Sequence, residues 1–149
     1  MSGKYISKKI RKAVVERAFA RCEYCQSWMK NAIHPFNIDH VIPLDKGGNS
    51  TYDNLAYSCG GCNSFKATRI DGIDPVTQSA ATLFNPRKDN WTSHFTWSDD
   101  YLEVIGLTPT GRATVEALRL NRSGLINMRK LTKIIGDHPP AMESSHSTD

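Results

Sequence analysis

Two pairs of cysteines with the same spacing are the first residues in this sequence that could do chemistry. Cys22 and Cys25 form one Cys-x-x-Cys unit, and Cys59 and Cys62 form the other. Such a gap lets both sulfurs reach one ion, and four thiolates complete a tetrahedral Zn²⁺ shell with no open position. The spacing therefore predicts one structural zinc ion, with disulfides or unliganded buried thiols as the alternatives.

A second group of polar residues lies between the two cysteine units and just after them: Asp39, His40, Asn54, Asn63 and Lys66. A histidine can take a proton from water at neutral pH. Carboxylate and amide oxygens, such as those of Asp39 and Asn63, suit a hard divalent ion, either Mg²⁺ or Mn²⁺. A base and an ion together could hydrolyse a phosphodiester bond. Because neighbouring residues of a regular strand point to opposite faces, we expect the Asp39–His40 pair at a strand end or a kink.

The segments CEYC, IDHVIPLDKGG and DNLAYSCGGCNSFK resemble the motif of zinc-stapled HNH endonucleases over roughly a third of the chain. The resemblance implies an α+β protein with a ββα-metal (His-Me finger) core, stapled by a four-cysteine zinc site. It also implies a DNA endonuclease in which His40 is the general base and Asp39 and Asn63 bind the catalytic ion. Asn54 would tie down the loop and orient the histidine, and Lys66 would lie near the phosphate. The products would carry a 5′-phosphate and a 3′-hydroxyl.

The elements that must position these residues follow from periodicity and turn residues. We predict helices over 7–21 with Ser7 as its cap, 62–69, 77–84, 110–122 with Thr110 as its cap, and 125–135. We predict strands over 36–42, 55–58, 91–97 and 101–107, with a loop over 44–53. The chain divides into a basic helix (1–21), the zinc module (22–70), an α/β extension packing on it (71–136) and a disordered tail (137–149).

The net charge of +4 is unevenly distributed, with seven basic residues against one acidic residue over 1–21 and six against one over 109–135. Two basic segments around a metal-binding centre favour a polyanionic partner. The resemblance makes double-stranded DNA the expected partner, while the charge pattern leaves DNA or RNA, and single or double strands, open. Solvated helix faces are the alternative interpretation. The candidate contacts with nucleic acid are Lys8, Lys12, Lys66, Arg69, Arg112, Arg119 and Arg122.

The composition also bears on location and on competing functions. We find neither an apolar run long enough to span a membrane nor the apolar core of a secretory signal, so we expect a cytoplasmic protein without a membrane partner. The first alternative to a nuclease is a zinc-organised module that binds nucleic acid without cutting it. The second is a protein-interaction module. The sequence leaves the oligomeric state open.

Overall fold

The computed structural model describes residues 5–141. Within that range the helices are α1 (Lys8–Arg17), α2 (Gly60–Lys66), α3 (Trp91–His94), α4 (Pro109–Leu118) and α5 (Ser123–Ile134). The strands are β1 (Asn37–His40), β2 (Leu55–Ser58), β3 (Asp71–Ile73), β4 (Ala80–Thr82), β5 (Phe95–Trp97) and β6 (Val104–Gly106). They form three antiparallel pairs, β1–β2, β3–β4 and β5–β6. The chain is thus an α+β protein, as expected.

Helix α1 begins where the sequence predicts. The Ser7 side chain accepts a hydrogen bond from the backbone N–H of Ile10 at 3.1 Å, which satisfies one of the free donors at the helix start. The helix ends at Arg17, four residues before the predicted end at residue 21. Phe19 and Ala20 have φ angles of 55° and 57°, so the backbone turns left-handed there and cannot continue a helix.

A β-hairpin followed by a helix forms the centre of the molecule. Strands β1 and β2 pair from Asn37 opposite Ser58 to His40 opposite Leu55. Helix α2 follows at once, because the Cys59 sulfur accepts a hydrogen bond from the N–H of Cys62 at 3.4 Å and so caps the helix start. The predicted order of strand, loop, strand and helix is confirmed, with β1 shorter than predicted. Helix α2 begins and ends earlier than predicted.

The C-terminal extension departs further from prediction. The helix predicted over 77–84 is wrong, because that segment contributes β4 to a hairpin with β3. The Asp74 carboxylate accepts hydrogen bonds from the Val76 N–H and the Thr77 hydroxyl, and these bonds fix the turn before β4. The first part of the strand predicted over 91–97 is the single helical turn α3.

Helix α4 begins at Pro109, and Thr108 caps it by accepting from the N–H of Gly111, so the prediction of Thr110 as the cap is wrong. Proline is favoured at the first helical position because it has no N–H to leave unpaired. The helix ends at Leu118, where Arg119 adopts a left-handed conformation, rather than at residue 122.

A hydrophobic core is shared by the zinc module and the C-terminal extension. Buried Tyr24, Val41 and Ala56 belong to the same cluster as Trp91 and Leu118. The indole N–H of Trp91 donates to the Tyr24 carbonyl at 2.9 Å, which joins the two parts by a buried hydrogen bond. The predicted division at residue 70 stays a prediction, since the core crosses it.

The start of the predicted disordered tail is packed. His138 is only 8% exposed and lies against the Trp97 ring. Its Nε2–H donates to the Tyr101 carbonyl oxygen at 2.7 Å, since a carbonyl can only accept. The prediction is therefore wrong for this part, while residues 142–149 lie outside the described range. Among the described residues, no helix has the length and apolarity needed to cross a membrane.

Candidate functional site

The four cysteines converge on one point at the base of the hairpin. All four side chains are buried, and their sulfurs lie within 4.8 Å of one another. The Cys25 and Cys59 sulfurs are 3.7 Å apart, close to the edge of roughly 3.8 Å that a tetrahedron with Zn–S bonds of about 2.3 Å requires. Backbone N–H groups of Cys25 and Cys62 donate to the first sulfur of each unit at 3.4 Å. The donor set and its spacing fit a structural zinc ion.

A guanidinium group from the extension lies against this cluster. Arg122 Nη2 is 3.5 Å from the Cys59 sulfur and Nη1 is 3.6 Å from the Cys62 sulfur. Gly61 leaves room for it, because a Cβ at that position would be 2.4 Å from Arg122 Nη2. Four thiolates around Zn²⁺ carry a net charge of −2, so the guanidinium offsets part of that charge.

His40 is the last residue of β1 and is half-buried. Its Nε2 atom lies 2.8 Å from the Ser50 hydroxyl, which belongs to the loop between β1 and β2. No described residue hydrogen-bonds to its Nδ1 atom. Burial lowers the pKa of His40 below the ordinary value, while the nearby Asp39 carboxylate acts in the opposite direction.

Asp39 faces the other way. It pairs with Ala56 in regular register, and pairing continues past His40, since the Val41 N–H donates to the Asn54 carbonyl at 3.0 Å. Asp39 is 5% exposed, and its Oδ2 accepts from the Tyr24 hydroxyl at 2.7 Å. Lys66, which is 1% exposed, lies 3.2 Å from the same carboxylate. His40 is the last residue of β1, but the expected kink is absent from this pair, and regular strand alternation sends the two side chains into different surroundings.

Asn63, the second expected ion ligand, lies near the start of α2 and is half-buried. Its side-chain amide makes no hydrogen bond with another described residue. Asn63 precedes Lys66 by three positions, so both side chains lie on one face of the helix. Carboxylate and amide oxygens, such as those of Asp39 and Asn63, suit a divalent ion. The Asp39 carboxylate, however, already forms an ion pair with the Lys66 ammonium group.

Asn54 holds the loop that contains the partner of His40. Its Oδ1 accepts from the Ile42 N–H at 3.0 Å, and its Nδ2 donates to the Ile42 and Asn49 carbonyls at 3.0 and 2.8 Å. Gly48 passes so close that a Cβ there would be 1.7 Å from the Ile42 oxygen and 2.7 Å from Asn54 Nδ2. Glycine is therefore required at position 48 by close backbone approach.

Two arginines brace the hairpin behind His40, and sequence reasoning missed this role. The Leu55 carbonyl, opposite His40, accepts from Arg17 Nη2 at 2.6 Å and from Arg87 Nη1 at 2.8 Å. Arg87 also pairs with Glu23, which in turn accepts from the Tyr57 N–H at 2.9 Å. Arg17 comes from α1 and Arg87 from the extension, so both flanking parts support the strand. Their types and positions in the sequence contain no pattern that would have predicted this.

The structure gives three of the predicted nucleic-acid contacts partners within the protein, and their contact with nucleic acid stays a prediction. Lys66 is buried on Asp39, and Arg122 lies on the zinc-site sulfurs. Arg112 makes two hydrogen bonds of 2.9 Å to the fully buried Asp74 and lowers the pKa of that carboxyl. Each guanidinium or ammonium is occupied by a partner inside the protein. The other four, Lys8, Lys12, Arg69 and Arg119, are exposed. Of these, Arg69 also donates through Nη2 to the carbonyls of Phe65 and Ala117 at 2.6 and 2.9 Å.

Strands β1 and β2 followed by helix α2 have the arrangement of the ββα-metal fold, and the four-cysteine cluster is a second, structural metal site attached to it. The family model of HNH endonuclease matches residues 22–69, from the first cysteine to just beyond α2. This part of the chain is therefore an HNH domain of the four-cysteine type, as the sequence resemblance implied. The searches of curated proteins and of solved structures gave no match. An HNH domain indicates a nuclease or nucleic-acid-binding function and a nucleic acid as the partner.

Proposed function

We propose that this protein is a metal-dependent endonuclease that hydrolyses phosphodiester bonds in double-stranded DNA, with His40 as the general base. The observation that carries the proposal is the position of His40 within the HNH domain. It ends the first strand of the hairpin, one ring nitrogen lies on Ser50, and the ring stays half-exposed.

The hydrogen bond to Ser50 suits a base. When Nε2–H donates to the Ser50 hydroxyl, the Nδ1 lone pair is left to accept a proton. A lowered pKa keeps the ring neutral at pH 7. His40 then takes a proton from a water whose oxygen bonds to phosphorus, while the bond from phosphorus to the 3′-oxygen breaks. The departing 3′-oxygen takes a proton from solvent, which leaves a 5′-phosphate and a 3′-hydroxyl.

The ion of this reaction would be Mg²⁺ or Mn²⁺, held by the oxygen atoms of Asp39 and Asn63. When bound, it supplies positive charge beside the phosphate oxygens. Asn54 keeps the loop in place by three hydrogen bonds, and so keeps Ser50 beside His40. Tyr24 fixes the orientation of the Asp39 carboxylate through its hydroxyl group.

Exposed basic groups support DNA as the polymer that is bound. Lys8 and Lys12 lie on the exposed surface of α1. The same helix is tied to the hairpin by Arg17, which donates to the carbonyls of Tyr52 and Leu55. Arg69 and Arg119 are exposed near the end of α2 and of α4. Contacts of this kind bind phosphates with little sequence information and weaken with salt.

The test is incubation of supercoiled plasmid with the purified protein in Mg²⁺, in Mn²⁺ or in EDTA, with DNA binding measured at low salt beside it. We expect nicked or linear plasmid with either ion and intact plasmid in EDTA. Binding without any cleavage would contradict the proposal and support the non-cleaving module. Neither binding nor cleavage would support a protein-interaction module instead.

A further inference from the structure

The ion pair between Lys66 and Asp39 is an unusual feature for a site expected to bind a divalent ion. Lys66 Nζ lies 3.3 and 3.2 Å from the two oxygens of the Asp39 carboxylate and 3.1 Å from the His40 carbonyl oxygen. An ammonium group has three donors, and these oxygens can accept all three. The side chain is almost completely buried.

The carboxylate needs the charge that Lys66 provides. Asp39 is 5% exposed, and a carboxylate removed from water is costly unless a cation accompanies it. The Tyr24 hydroxyl is its only other hydrogen-bond partner among the described residues. Burial raises the pKa of Asp39, and Lys66 acts against that rise. Removing Lys66 would leave this site short of one positive charge.

An ion on Asp39 and the ammonium of Lys66 would compete for the same oxygens. Asn63 lies one helical turn before Lys66 on the same face of α2, so an ion that uses both proposed ligands must approach this face. Two cations in contact with one carboxylate repel each other strongly in a site with little water. The two states therefore exclude one another.

We propose that Lys66 is an internal competitor of the divalent ion: its ammonium group holds Asp39 in the ion-free protein and leaves the carboxylate when the ion binds. This inference rests on the proposed function, because it concerns the ion of that reaction. The apparent affinity for the ion is then reduced by the small fraction of molecules in which Lys66 is displaced. The displaced lysine, on its flexible four-carbon stem, becomes available to an anion.

The first experiment measures Mn²⁺ binding, by the electron-spin-resonance signal of free Mn²⁺, and thermal unfolding with and without Mn²⁺. Lys66→Met removes the competitor and leaves Asp39 in place. We expect this variant to unfold at lower temperature than the wild type without Mn²⁺, to recover stability with Mn²⁺, and to bind Mn²⁺ at least about tenfold more tightly.

Two controls distinguish tighter Mn²⁺ binding caused by the loss of Lys66 from a nonspecific effect of removing a lysine. The double variant Lys66→Met/Asp39→Asn lacks both charges and should not respond to Mn²⁺. Lys46→Met removes an exposed lysine, whose Nζ donates only to the Thr68 carbonyl in the described part of the chain, and should bind Mn²⁺ as the wild type does. Each variant is compared at equal zinc content, so that loss of the cysteine site does not imitate the result.

A second measurement uses the unaltered protein and does not depend on the folding of a variant. Lysines are acetylated with and without saturating Mn²⁺ and identified by mass spectrometry. Lys66 should be protected in the ion-free protein and several-fold more reactive with Mn²⁺, while Lys46 should be unchanged. Equal reactivity of Lys66 in both conditions would overturn the proposal.

Failure of this inference and failure of the proposed function give different results. If the wild type cuts plasmid with Mg²⁺ but Lys66→Met binds Mn²⁺ no more tightly than the wild type, the competition is refuted and the nuclease stands. If no variant binds Mn²⁺ and no plasmid is cut, both are refuted. Tighter Mn²⁺ binding by Lys66→Met without plasmid cleavage by the wild type would support the competition and refute the nuclease.

Discussion

A histidine acts well as a base when one ring nitrogen is held in place and the other is open to water. In this protein the holding group is Ser50, which belongs to a loop rather than to a strand or helix. How precisely the His40 ring is positioned therefore depends on how well this loop is held in place. Asn54 fixes it through both ends of its amide, and Gly48 allows the two chain segments to approach.

Asn54→Asp tests this dependence with little change in size. Aspartate keeps the acceptor for the Ile42 N–H but loses both donations to the carbonyls of Ile42 and Asn49. At about 1 kcal/mol for each lost hydrogen bond, we expect the free energy of unfolding to fall by roughly 2 kcal/mol. We also expect plasmid cleavage to slow about tenfold or more, measured beside Asn127→Asp on the exposed face of α5. Unchanged cleavage in Asn54→Asp would show that the loop does not position His40.

At the scale of elements, the extension contributes to the central site through single side chains whose contact partners lie far away in the sequence. Arg122 precedes α5 and contacts the sulfurs of Cys59 and Cys62. Arg87 lies between β4 and α3 and supports the strand that pairs with His40. The zinc module is thus completed by residues outside the segment that matches the family.

Arg122→Ala should weaken zinc binding, because it removes the only guanidinium in contact with the sulfurs among the described residues. Loss of a group next to metal ligands costs about 10- to 100-fold in affinity in other proteins, and we expect about tenfold here. Competition with a chromophoric chelator measures the zinc affinity of each protein. Arg119→Ala is the matched control, since Arg119 is exposed and contacts the Phe65 ring. Equal zinc affinity in the two variants would refute a role of Arg122 at the zinc site.

The segment after α5 gives a prediction about pH. Burial lowers the pKa of His138 below its ordinary value of 6.5, and the charges of Arg129, Arg21 and Lys133 act in the same direction. The unfolded chain therefore binds this proton more tightly than the folded chain. Stability is full above about pH 6.5 and falls as the pH decreases below it.

Urea unfolding at pH 7.5 and 5.5, with zinc content checked at both, measures this effect. The wild type should lose more stability on acidification than His138→Gln, whose amide can still donate to the Tyr101 carbonyl. His34→Gln, which changes an exposed histidine, should behave as the wild type does. If all three proteins lose the same stability, His138 does not contribute to the pH dependence.

Local pattern was enough to predict the start of α1 and the order of elements in the HNH domain, because their signals are local. Ser7 caps α1, the cysteine spacing brings four sulfurs together, and Asn54 ties its loop as the resemblance implied. The partners of Lys66 and Arg122 could not be predicted in this way. They lie 27 and about 60 positions away in sequence, and a buried lysine has the same local pattern as an exposed one.

The extension was harder to predict for the same physical reason. Residues 77–84 have no strong period, and the buried carboxylate of Asp74 decides that they form a turn and a strand. That carboxylate is held by Arg112, 38 positions away. Tertiary contacts therefore override the weak helical preference of the segment.

At the scale of the whole molecule, the buried cysteines and the aromatic residues of the extension share one core. All four cysteines belong to the same cluster as Trp91, Phe95 and Leu125. We expect zinc removal by a chelator to loosen the HNH domain and the extension together, in one transition, because neither part encloses its apolar residues alone.

Tryptophan fluorescence and far-ultraviolet circular dichroism during chelation test this expectation. Trp28 pairs with Arg21 beside Cys22 and so reports on the first cysteine unit, whereas Trp91 and Trp97 report on the extension. Single-tryptophan variants should give one common midpoint. An extension that keeps its native signal after the zinc has been removed would show that the two parts fold separately.

The central claim is that His40 is the base of a phosphodiesterase, and the most direct test is the single-turnover cleavage rate of a labelled DNA duplex. The wild type and His40→Ala are compared at saturating Mn²⁺, equal zinc content and matched DNA binding. A general base contributes about 10²- to 10⁴-fold, so we predict that the variant cleaves at least about 100-fold more slowly. Equal cleavage rates in the two proteins would contradict the account.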